Sequence, residues 1–138
     1  MRVDGTAVAI FDKIVFGASP GVGTPVAADT VDFFVPAGAE VYGLAFQMDD
    51  SDSGAALVFG VGYRAVDPAN ATVLPTNNTY FAAAGQTTAQ AGGRLTCAFK
   101  PIKFEVDAYI QLLVGTGGTT VGNPEWHMIL ECNQKGPK

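Results

Sequence analysis

Apolar residues alternate with polar or small ones over short runs, and the runs end at Gly, Pro, Asn or Asp. Ala7 to Phe16 is apolar apart from Asp12 and Lys13 and reads as a first strand. Thr30 to Val35 is a second, stopped by Pro36-Ala37-Gly38, a turn in which Pro presets one dihedral. Glu40 to Met48 is a third. In Ala55 to Tyr63, Leu57, Phe59, Val61 and Tyr63 share one face, with Val58, Gly60 and Gly62 on the other. Residues 64 to 79, with two prolines and three asparagines, read as loop. Tyr80 to Gln90 (YFAAAGQTTAQ) carries the chain's one trace of helical character. Leu95 to Phe104 is a strand broken by Pro101, bending or lying on an edge there. Ala108 to Gly115 is another. Glu125 to Cys132 closes the series, with Trp126, Met128, Leu130 and Cys132 inward and Glu125, His127 and Glu131 outward. Residues 133–138 form a frayed tail.

About eight short strands with at most one short helix predict an all-β chain, a β-sandwich or a barrel; a single sandwich domain spanning 1–138, jelly-roll-like in its strand number, is the expectation. Its 138 residues suit a single core. Residues 1–16 are expected to form an N-terminal arm or edge strand.

Composition adds a surface problem. Hydrophobic residues make up 48% of the chain and charged residues 15%, against about a quarter in ordinary domains. Mean hydropathy is +0.22. Some apolar surface should therefore be covered by a partner, and a homo-oligomer, dimer or trimer, is expected. Ile10, Phe11, Ile14 and Phe16 are the candidate contacts in the arm. Phe33 and Phe34 are added because adjacent strand residues point to opposite faces. Net charge is −5, with eight scattered Lys and Arg. Phosphate neutralisation needs clustered cations, so neither nucleic acid nor an anionic membrane is an expected partner. Asp4, Asp12 and Lys13 interrupt what would be a signal peptide's apolar core, so synthesis in a cytoplasm is expected.

Chemistry is sparse. Asp49, Asp50 and Asp52 crowd into QMDDSDSG. Asp50 and Asp52 are weak metal candidates, because alternating oxygens before a Gly open a calcium loop, yet no bidentate Glu follows. An exposed hairpin turn fits better, since Asp and Ser cap turn backbones. The lone His127 has no nucleophile on its face. Cys97 and Cys132 fit buried free thiols better than a disulfide. The Gly-rich loops lack a P-loop's Lys-Ser/Thr. No cofactor is expected, and no enzyme.

Three stretches together carry a resemblance: VPAGAEVYGLAFQMDDSDSGAALVFGVG (Val35 to Gly62), YFAAAGQTTAQAGG (Tyr80 to Gly93) and AYIQLLVGTGGTTVGNPEWHMILE (Ala108 to Glu131). The succession resembles capsid decoration, or cement, and minor head proteins of tailed bacteriophages. The resemblance implies a jelly-roll-like sandwich without an active site. It implies a protein made in the bacterial host cytoplasm, carried on the capsid exterior, and bridging subunits of the major capsid protein. Deleting residues 1 to 16 should then abolish shell binding. The alternative is a tail or fibre module that binds host carbohydrate.

Overall fold

The computed structural model describes residues 6–15, 25–119 and 123–134. They form nine strands: β1 (Thr6–Val15), β2 (Thr30–Val35), β3 (Ala39–Met48), β4 (Val58–Ala65), β5 (Asn77–Gln86), β6 (Gly93–Thr96), β7 (Ile102–Lys103), β8 (Ala108–Thr116) and β9 (Glu125–Gln134). One helix of four residues, α1 (Thr88–Ala91), and a 3₁₀ turn at Pro68–Thr72 complete the described set.

The strands make two antiparallel sheets. The first has the order β1-β9-β3-β6, with β7 also on β3. The second has the order β2-β8-β4-β5. β1 pairs β9, β2 pairs β8, β3 pairs β6 and β4 pairs β5. The chain is thus one long antiparallel ribbon wrapped on itself, the jelly-roll topology. The sequence expectation of a jelly-roll-like sandwich holds.

Strand alternation explains the core. Phe33 (β2) meets Phe46 (β3) at a centroid distance of 6.0 Å, and Phe59 (β4) meets Trp126 (β9) at 5.6 Å, so aromatic pairs join the two sheets. Trp126, Met128, Leu130 and Cys132 are all fully buried, as the alternation of β9 predicts. A bulge in β3 between Val41 and Gly43 pushes Tyr42 outward and keeps Leu44, Phe46 and Met48 inward. At one end Tyr63, Tyr80, Phe81, Phe99 and Phe104 pack mostly edge-on. The Tyr80 hydroxyl donates to the Lys100 carbonyl at 2.7 Å, pinning the coil between β6 and β7.

Four expectations need correction. Tyr80–Gln90 is mainly strand: β5 runs to Gln86 because pairing with β4 outweighs the local Ala content, and only Thr88–Ala91 is helical. Residues 64–79 are not one loop, since β4 ends at Ala65 and β5 begins at Asn77. Leu95–Phe104 splits into β6 and β7 around Pro101. The acidic stretch is no hairpin, for β3 and β4 lie in different sheets and it crosses between them.

Candidate functional site

The acidic crossover ties one end of the sandwich together. Asp52 is 4% exposed. Its Oδ1 accepts the backbone N–H groups of Gly54 at 3.0 Å and Thr119 at 2.9 Å, and its Oδ2 those of Ala56 and Leu57, each at 2.9 Å. Ser53 N–H in turn donates to the Thr119 carbonyl, so the crossover is laced to the segment after β8. Asp49 accepts from Glu125 N–H and Asp50 from Asp52 N–H. Ser51 is fully buried; its hydroxyl donates to the Asp49 carbonyl and accepts from the Trp126 indole N–H at 2.8 Å. The expected exposed turn is therefore wrong at Ser51 and Asp52. Asp52 serves as a buried backbone acceptor, while Asp49 and Asp50 accept backbone N–H groups and stay exposed.

At Asp52 the arrangement disfavours a bound cation. Both oxygens face converging N–H dipoles, which repel a cation, and Asp50 is spent in part on the Asp52 N–H. Among the described residues no three His, Cys, Asp or Glu side chains gather as a metal set would.

The N–H bonds, Thr119's first, hold the Asp52 carboxyl well below the usual carboxylate range. A depressed folded-state pKa adds stability that is complete above the unfolded value of about 4 and is lost as pH falls toward the folded value. Thermal melts from about pH 7 down to about pH 2 should show a steep loss below pH ~4. Asp52→Asn should be less stable at neutral pH and should flatten that acid limb. An unchanged acid limb would remove Asp52 from this role.

The outer face of the first sheet is built in rows across β1, β9, β3 and β6. Phe11, Ile129, Ala45 and Thr96 make one row. Phe11 is 71% exposed, the most exposed large hydrophobic side chain among the described residues. On one side lies the row Lys13, His127, Gln47, Arg94; on the other, Ala9, Glu131, Gly43. Glu125 joins Lys13 at 3.5 Å and His127 at 2.9 Å. Glu131 lies across Gly43, where a Cβ would stand 3.1 Å from the Glu131 Cβ.

The second sheet's outer face carries a different patch. Phe34 is 48% exposed and packs edge-on against Tyr109 at 6.4 Å. Arg64 lies 4.6 Å over the Tyr109 ring and binds Asp32 at 2.8 Å. Beside them β5 folds over β4: a Cβ on Gly62 would lie 1.9 Å from the Asn77 carbonyl oxygen. Gln111, buried on this face, donates to Asn78 Oδ1 at 2.9 Å.

The expected contact residues thus divide. Phe11 and Phe34 point outward on opposite faces of the sandwich. Phe33 is 2% exposed and belongs to the core, a correction that follows from the same alternation that turns Phe34 out. Ile10 and Ile14 pack against the core from β1. Phe16 lies outside the described residues. The partners Tyr109, Arg64 and Ile129 were not singled out, because only the cross-strand register places them beside the exposed aromatics. Both cysteines are free thiols; Cys132 is buried, and burial pushes the half-buried Cys97 up to about 11.

No helix among the described residues is long and apolar enough to cross a membrane. No protein-family model matches the chain, and no curated protein matches it in sequence. Solved structures do match. A chain of the cyanophage Pam1 capsid asymmetric unit is 18% identical with a TM-score of 0.66, over 96% of this chain and 89% of that one. A chain of the Ralstonia phage GP4 capsid is 16% identical with a TM-score of 0.62, over 100% and 90%. A chain from the acidic stable capsid structure of Helicobacter pylori bacteriophage KHP30 is 14% identical with a TM-score of 0.57, over 92% and 91%. The chain shares its fold, nearly end to end, with components of three phage capsids.

Proposed function

We propose that the chain is a non-enzymatic structural protein of a phage virion, bound to the outside of the capsid shell and bridging subunits of the major capsid protein. The end-to-end fold likeness to chains of three phage capsids carries this reading, since it spans about nine-tenths of each of those chains as well. The exposed Phe34 patch supports it, since it offers apolar contact on an outer face of the sandwich. Burial at about 25 cal/mol per Å² is modest for one patch and accumulates over a symmetric shell.

Deletion of residues 1 to 16 is a poor test of shell binding. β1 pairs with β9 along its whole length, and its Ile10 and Ile14 pack on the core, so deletion opens the sandwich. Phe34→Glu leaves the core intact. It is expected to weaken binding to purified undecorated shells at least about tenfold without lowering the Tm. Unchanged binding would take the Phe34 face out of the contact.

The alternative is a tail or fibre module, for which Phe34 and Tyr109 beside Asp32 give the aromatic and carboxylate groups a sugar site uses. Binding to a glycan array, lost in Phe34→Glu, would favour it.

A further inference from the structure

We propose that the outer face of the β1-β9-β3-β6 sheet binds a second copy of this chain, about a two-fold axis running along the Phe11–Ile129–Ala45 row. This goes beyond the shell reading and does not depend on it.

The face is patterned for itself. An apolar row crosses the sheet, with Phe11 standing clear of its neighbours and Ile129 beside it. One side of the row carries Lys13, His127 and Arg94, with Glu125 bound to the first two; the other carries Glu131. A half-turn about the row keeps apolar against apolar and exchanges the two sides. Glu131 of each copy then lies opposite the Lys13–His127 side of the other, and the contact is made twice, as an isologous interface requires. A half-turn about the sheet normal would instead set the faces side by side and bury nothing. Positioning is already in place: Glu125 holds Lys13 and His127, and Glu131 is laid flat over Gly43 because no side chain stands there.

Size agrees with pairing. Three ten-residue strands and the four residues of β6, about 4.8 Å apart with about 3.3 Å rise per residue, give a face of roughly 540 Å² in projection. A stable interface uses about 800 Å² of accessible surface per partner, the same order. Sheets stacked face to face, about 10 Å apart, bring such side chains into contact.

Sedimentation equilibrium of the purified chain, without shells, tests this. The expected result is a reversible dimer. Phe11→Glu should raise its dissociation constant at least about tenfold, with circular dichroism unchanged. Lys13→Glu and Glu131→Lys should each weaken it about fivefold, and the double reversal should restore it toward the parent value. A monomer at all concentrations, a trimer, a dimer indifferent to Phe11→Glu, or reversals that fail to rescue each other would overturn the proposal. Because the assay contains no shell protein, its failure leaves the virion role standing.

Discussion

Trp126→Ala is expected to destabilise the chain by about 4 kcal/mol, the range for truncating a large buried aromatic. That is a large part of the roughly 5–15 kcal/mol by which domains of this kind are stable. Trp126 is fully exposed to no solvent, stacks near Phe59 at 5.6 Å and donates its indole N–H to Ser51. The substitution leaves a cavity between the sheets and removes the tie between β9 and the acidic crossover. Trp126→Phe separates the two effects: it keeps most of the ring volume and deletes the donor. Its cost should be about 1–2 kcal/mol, with part of it from lost hydrogen bonding. Urea melts measure both. Equal losses in the two variants would mean that the hydrogen bond, rather than the packing, carries the effect.

Gly62→Ala should cost roughly 3 kcal/mol or more, far above the usual effect of adding one methyl. The backbone of Asn77 and Asn78 lies over Gly62, with a Cβ contact of 1.9 Å to the Asn77 oxygen and 2.5 Å to the Asn78 carbonyl carbon. Backbone cannot swing aside as a side-chain tip can, so the β5 crossing of β4 must shift. Gly85→Ala is the control. It has open space around its Cβ but a φ of +95°, so its penalty is conformational and smaller. A Gly62→Ala variant as stable as the parent would show that β5 does not lie against β4 in this way.

How much of this was legible in the sequence depends on the kind of information each feature carries. The inward face of β9 and the split between Phe33 and Phe34 follow from period-two alternation, a local property. The direction of each member of that phenylalanine pair follows too, since Phe33 shares its face with Val31 and Val35 while Phe34 shares its face with Thr30 and Asp32. β5 was misread because its alanines suit a helix locally, while its pairing partner β4 lies more than ten residues upstream. The acidic stretch misled for the same reason. Gly54, Ala56 and Leu57 give Asp52 local N–H groups, but the N–H of Thr119 comes from far along the chain, and sequence spacing cannot bring it near. Gly60 and Gly62 looked like a weakened strand and are in fact the ground over which β5 passes. The exposed aromatic patches needed register most of all, since Phe11 meets Ile129 and Phe34 meets Tyr109 only across strands.

The proposed virion role is tested most directly by quantitative mass spectrometry of phage particles purified from the source of the sequence. A copy number comparable with that of the major shell protein is the predicted result. A handful of copies per particle, or none, would contradict shell decoration.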